Sequence, residues 1–216
     1  MRGRPTADAI LAGRDLSGRV MLVTGGDSGI GFETARALAA QGARVWLGCL
    51  RAADGERAAA AMVGDVRVCA FDLGDLAGVR RAAASLDEPV LHAVICNAGV
   101  YGGPYAETID GFERTFGVCY LGHVQLILGL LDRLRAGAPA RVVLVSSQNH
   151  RWPRSLDVDA VPISRQRYSE LAAYGEAKRC VVLLARALSD RFAVDGITAN
   201  ALHPGDLIAT GIDRDS

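Results

Sequence analysis

Six short apolar runs punctuate the chain: RVMLVT (19–24), ARVWLG (43–48), VRVCAF (66–71), VLHAVIC (90–96), ARVVLVS (140–146) and GITANAL (196–202). Each is nearly continuous in its apolar character rather than alternating, the pattern of a strand covered on both faces. Helix-like segments separate them, at Ile30–Ala40, Glu56–Met62, Leu76–Leu86, Thr108–Leu134 and Glu170–Phe192. Strand and helix patterns therefore alternate, which predicts an α/β fold built on a parallel sheet with helices on both faces. At 216 residues, half of them hydrophobic, the chain has enough apolar material for one full core, and residues 1–216 read as a single domain.

Charge argues against a nucleic-acid or anionic-membrane surface, because 24 basic residues balance 24 acidic ones. The cysteines Cys49, Cys69, Cys96, Cys119 and Cys180 form no C-x-x-C pair, and most sit in apolar runs as small hydrophobes. A reduced compartment fits that usage. The opening MRGRPTADAILAG has no secretory apolar stretch, and no run reaches the roughly 18 residues that span a bilayer. The expectation is a cytoplasmic protein with no transmembrane segment. His123, His150 and His203 lie on different elements without metal-ligand spacing, so no metal site is expected. The segment QNHRWPRSLDVDAVPISRQRYS (148–169) is a long loop containing Pro153 and Pro162, and loops of that length are more often functional than idle.

The junction TGGDSGIG (24–31) puts Gly25, Gly29 and Gly31 between the first strand and the first long helix. Small residues there let backbone approach a pyrophosphate, and a helix N-terminus offers N–H groups and a positive dipole end. A tight turn with no ligand is the plain alternative. Asp72, after the third strand, has the chemistry to accept from an adenine amino group or to cap a helix. Asn97, Ala98 and Gly99 follow the fourth strand and either pass close to a cofactor or form an ordinary turn. Lys178 is the only lysine in the chain, four residues after Tyr174 on a predicted helix face. A cation beside a phenol lowers its pKa from about 10, and an ammonium is more compact than a guanidinium. Otherwise the two are an ordinary solvated charge and a packing tyrosine.

Taken in order, Thr24–Gly31, CNAG (96–99), VSS (145–147), Tyr174-x-x-x-Lys178 and HPG (203–205) resemble the short-chain dehydrogenase/reductase family over nearly the whole chain. The long loop after VSS resembles the retinol dehydrogenase branch. The resemblance implies a Rossmann-type doubly wound parallel sheet of six strands and an NAD(P)-dependent oxidoreductase. Its substrate would be a small apolar carbonyl/alcohol pair of retinoid, steroid or lipid type. It assigns catalysis to Ser147, Tyr174 and Lys178. Cofactor contacts fall to Thr24, Gly25, Asp27, Ser28, Gly29, Ile30, Gly31, Arg51, Asp72, Leu73, Asn97, Ala98, Gly99, Pro204 and Gly205, together with Tyr174 and Lys178, with Thr210 near the carboxamide. It also implies a homodimer through the segments 108–134 and 170–192.

Three departures bear on those expectations. Cys119 stands where relatives carry an asparagine associated with a helix distortion and a water relay to the active-site lysine, and a thiol is a weak donor and acceptor. The sequence ends at Ser216, so the substrate lid and C-terminal edge strand of relatives are expected to be lacking and the sixth strand to be an exposed edge. Leu50 precedes Arg51 at the end of the second strand, and Asp27 lies in the glycine turn. Arg51 favours NADP slightly over NAD, while Asp27 opposes a 2′-phosphate. A second reading stays open: a catalytically impaired nucleotide-binding or interaction protein.

Overall fold

A computed structural model describes residues 5–152 and 155–205. After a short helix α1 (Ala7–Leu11), the chain alternates β1 (Val20–Thr24), α2 (Gly29–Ala40), β2 (Arg44–Cys49), α3 (Ala52–Ala60), β3 (Val66–Ala70), α4 (Leu76–Ser85) and β4 (Ala93–Cys96). The second half continues with α5 (Arg114–Phe116), a π-turn (Gly117–Leu121), α6 (Gly122–Gly129), α7 (Leu131–Ala136), β5 (Ala140–Val145), α8 (Glu170–Phe192) and β6 (Ile197–Leu202). The strands form one six-stranded sheet in the order β3-β2-β1-β4-β5-β6, with every pairing parallel.

Continuous apolar strands are what a sheet covered on both faces requires, and successive residues divide between the two layers. Leu22, Val94, Val142 and Leu144 point to one layer, where Leu126, Ile127, Leu130, Leu134, Val181 and Leu188 pack from α6, α7, α8 and the α6–α7 junction. Val23, Val45, Leu47 and Ile95 point to the other, against Ala35 and Ala39 of α2 and Ala58 of α3. The small residues on α2 and α3 bring those helices close to the strands. Caps set the helix starts: Asp75 accepts from the Gly78 N–H for α4, and Ser169 from the Ala172 N–H for α8. Asp72, considered as a helix cap, instead accepts from the Gly74 N–H at 2.7 Å, one turn before α4.

The predicted helix Thr108–Leu134 is not continuous. Residues 108–113 form a turn, with Gly111 at φ +81°. Both oxygens of the buried Glu113 carboxylate then accept N–H groups, from Thr115 and Phe116, each at 2.8 Å. The helical path starts there, widens into the π-turn, resumes as α6 and breaks again at Leu130 before α7. The loop 148–169 carries two short 3-10 turns, Gln148–Arg151 and Arg165–Arg167.

Where α6 begins, Gly122 lies so close to the connection after β3 that a Cβ would overlap the Leu73 carbonyl oxygen. Backbone cannot yield as a flexible side chain does. Gly122→Ala is expected to lower unfolding free energy by about 2 kcal/mol, measured by urea denaturation.

Candidate functional site

The strand order reverses between β1 and β4, and a crevice opens beyond the carboxyl ends of the strands at that switch point. The crevice is a cleft of about 1030 Å³. Of the residues selected from sequence, all but two line it. Gly31 lies just behind the wall, and Thr210 falls outside the described residues.

Gly31 has a structural reason to be glycine. A Cβ there would overlap the Gly25 carbonyl oxygen and come within 2.6 Å of the Asn97 amide nitrogen. The turn Gly25–Ser28 therefore folds back against α2, which begins with Ser28 as its N-cap. The Ser28 side chain makes no capping bond, so the first turn of α2 presents its N–H end to the cleft. Asn97 Nδ2 donates to the carbonyl oxygens of Thr24 (3.0 Å) and Gly25 (3.4 Å), tying the β4 end to the glycine turn. This is a shaped anion seat, and it fits the pyrophosphate of a dinucleotide.

At the β2 end the charges are mixed. Arg51 Nε donates to Asp54 Oδ2 at 2.5 Å, and Arg57 bonds the other oxygen of the same carboxylate. The guanidinium groups hold the Asp54 carboxyl below its usual range, Arg51 first. Asp27 also lines the cleft, and its charge acts on Cys49, whose thiol is pushed up to about 11 by burial and then by Asp27. Asp54 was not singled out from sequence, although its place three residues after Arg51 was the available signal.

The strand β5 delivers two serines with different surroundings. Ser146 is buried, and its hydroxyl donates to the Lys178 carbonyl oxygen at 2.9 Å. Ser147 is half-buried on the cleft wall, where its Oγ accepts from the Asn149 N–H at 3.2 Å. Lys178 is only 2% exposed, and its Nζ donates to the Val145 carbonyl oxygen at 2.9 Å. That ammonium lies 5.4 Å from the Tyr174 ring centroid, so the cation and the phenol share one face of α8. Tyr101, from the loop after β4, meets the Tyr174 ring edge-on with centroids 5.0 Å apart.

Beneath them lies the π-turn. A Cβ on Gly99 would sit 3.3 Å from Cys119 Sγ and 3.5 Å from Lys178 Nζ, so thiol, ammonium and glycine surround one small space. Cys119 Sγ accepts from the Val100 N–H at 3.4 Å and is within 3.5 Å of the Val100 carbonyl oxygen. The helix distortion is thus present with a thiol in the asparagine position.

Behind the glycine turn, Thr24 and His123 are almost fully buried. Thr24 borders the cleft, but its hydroxyl is buried: Oγ1 is 2.9 Å from His123 Nε2 and accepts from the N–H groups of Asn97 (2.9 Å) and Ala98 (3.0 Å). The sequence assigns His123 no site role, because the partners that give it one are distant in the chain.

Sheet order, switch-point cleft and glycine turn define a Rossmann-type nucleotide-binding protein. The short chain dehydrogenase family model matches residues 19–158. The WW domain-containing oxidoreductase of Danio rerio is 43% identical over 98% of this chain and 55% of its own length. Retinol dehydrogenase 12 of Mus musculus is 41% identical over 93% of this chain and 65% of its own. The chain thus spans little more than half the length of the first of these relatives. Among solved structures, an uncharacterized protein from Mycobacterium paratuberculosis superposes with a TM-score of 0.84 at 37% identity, covering 94% of this chain and 73% of that one. The RhlG/NADP complex of Pseudomonas aeruginosa superposes with a TM-score of 0.71 at 30% identity, covering 88% and 73%. The chain belongs to the short-chain dehydrogenase family, whose members are NAD(P)-dependent oxidoreductases. Among the described residues no helix is long and apolar enough to cross a membrane, and no His, Cys, Asp and Glu cluster suits a metal ion.

Burial lowers the His123 pKa to about 4. An unfolded histidine takes up a proton near pH 6.5 that the native ring refuses, so this contribution to stability is complete above that pH and is lost as pH falls toward 4. Urea midpoints should drop between about pH 6.5 and 5, with His123 contributing at most on the order of 3 kcal/mol by pH 4. His123→Phe should flatten the slope, leaving the share of His92, whose pKa burial also lowers.

Proposed function

We propose that the chain interconverts a carbonyl and an alcohol on a small apolar substrate of retinoid, steroid or lipid type, with NADP slightly preferred over NAD. The carrying observation is the convergence of Ser147, Tyr174 and Lys178 on one wall of the cleft that holds the glycine turn. The apolar-substrate reading draws on the likeness to retinol dehydrogenase 12 and on Val100 and Tyr101, which pack beside Tyr174.

The nicotinamide, when bound, supplies or takes up the hydride. Tyr174 gives its phenolic proton to the substrate oxygen in reduction and recovers it in oxidation. Lys178 stabilises the phenolate and offers its remaining N–H groups to ribose hydroxyls. Ser147 Oγ donates to the substrate oxygen and holds it against Tyr174. The first turn of α2, with Gly25, Asp27, Ser28, Gly29, Ile30 and Gly31, cradles the pyrophosphate. Asp72 and Leu73 would flank the adenine, Arg51 would meet a 2′-phosphate, and Asn97, Ala98, Gly99, Pro204 and Gly205 would shape the nicotinamide end of the cleft they line. Unpaired cysteines support a reduced, cytoplasmic setting, and exposed Leu128 and Leu183 on α6 and α8 support a homodimer.

Cys119 favours a second reading, a cofactor-binding protein with impaired turnover, because its thiol bonds Val100 where a relay water would need a stronger partner. Cys119→Asn separates the two: a gain in kcat marks an enzyme held back by the thiol, and no turnover in either form marks a binder.

Tyr174→Phe should lower kcat toward apolar aldehydes by at least about a hundredfold, while NADPH affinity stays within about twofold. Unchanged turnover would overturn the assignment. Fluorescence titration should show NADPH binding more tightly than NADH, with Arg51→Ala removing the difference.

A further inference from the structure

We infer that His123 is a positioning residue: as the Nδ1–H tautomer it links the π-turn carrying Cys119 to Thr24, and through Thr24 holds the Asn97–Gly99 wall at the glycine turn. The inference rests on the proposed cofactor site and concerns how that site keeps its shape.

Hydrogen-bond directions follow from chemistry alone. His123 Nδ1 is 3.2 Å from the Cys119 carbonyl oxygen, which can only accept, so Nδ1 carries the proton. A neutral ring then leaves Nε2 as an acceptor, and a pKa of about 4 keeps the ring neutral at working pH. The hydroxyl proton of Thr24 must therefore point to Nε2, 2.9 Å away, rather than to the more distant Ile95 carbonyl oxygen at 3.4 Å. With its proton committed, Thr24 Oγ1 presents its lone pairs to the Asn97 and Ala98 N–H groups. Asn97 Nδ2 passes the connection on to the Thr24 and Gly25 carbonyl oxygens.

The chain of bonds runs with a single polarity from the Asn97 and Ala98 N–H groups through Thr24 and His123 to the Cys119 carbonyl, and it spans separate elements: the β4 end, the β1 end, and α6 with the π-turn. It joins the floor beneath Lys178 to the cofactor seat. An Nε2–H ring would break it at both nitrogens, placing a donor against Thr24 and a bare lone pair against the Cys119 carbonyl. No atom of His123 lines the cleft, so its action is through Thr24 and Cys119.

The test has two parts. Nitrogen-15 NMR of the His123 ring in the full chain is expected to show Nδ1 protonated and Nε2 bare from about pH 8 to pH 5. An Nε2–H ring, or titration near 6.5, would overturn the inference whether or not any cofactor binds. The second part is a double-mutant cycle on NADPH and NADH affinity by fluorescence. Thr24→Val and His123→Phe should each weaken binding about tenfold, with the double variant no worse than the weaker single one. Thr24→Ser, which keeps the hydroxyl, should recover most of what Thr24→Val loses. Effects below about twofold, or multiplicative losses in the double variant, would overturn the coupling. A wild-type chain that binds neither nucleotide would contradict the cofactor reading itself, leaving the ring's tautomer to decide His123's role. Variants failing to fold are recognised by a lost urea transition, and the Thr24→Ser and Thr24→Val comparison then carries the affinity arm.

Discussion

The end of β5 and Lys178 hold each other by two bonds in opposite directions: the Ser146 hydroxyl donates to the Lys178 carbonyl, and Lys178 Nζ donates to the Val145 carbonyl. Neither strand end nor helix can shift without breaking one of them. The pair sets the height of α8 against the sheet, and with it the place of Tyr174, one turn earlier, relative to Ser147 on the strand. It also explains why the only lysine of an arginine-rich chain stands here. The ammonium occupies a nearly closed space beside Gly99 and Cys119, and a planar guanidinium is too broad for that gap.

Around that junction the cleft is assembled from residues whose polar groups are mostly committed to one another. Asn97 and Thr24 face the site but bond its walls together. Gly31 permits the fold-back of the turn that Asn97 then fastens. Among the described residues, the polar groups placed to meet a ligand include those at the α2 start, the Ser147 hydroxyl and the remaining donors of Lys178. Such a site is preorganised, because few of its donors must break an internal bond to meet a ligand.

The sheet, its parallel sense and the bounds of α2, α4 and α8 were legible because each rests on local pattern, whereas α3 starts at Ala52 rather than at the predicted Glu56 and α1 was not predicted. The stretch 108–134 was not legible. Its apolar spacing runs on unchanged through Asp110–Gly111, the π-turn and Leu130, while the breaks depend on Glu113 capping and on the fit of Gly117 and Gly122 against Thr108 and Leu73. Site residues inside short motifs were readable in the same way. The burial of the Thr24 hydroxyl, the Tyr101 contact with Tyr174 and the His123 bridge were not, since each depends on partners far away in sequence.

The central claim is that Lys178 makes Tyr174 a proton donor near neutral pH, and ultraviolet titration of tyrosinate in the free protein tests it most directly. Tyr105, Tyr120 and Tyr168 are all held above their ordinary range, Tyr105 by the Glu107 hydrogen bond and the other two mainly by burial. The account predicts one tyrosine ionising well below about pH 10, lost in Tyr174→Phe and raised in Lys178→Met. A wild-type curve without that early step would contradict it.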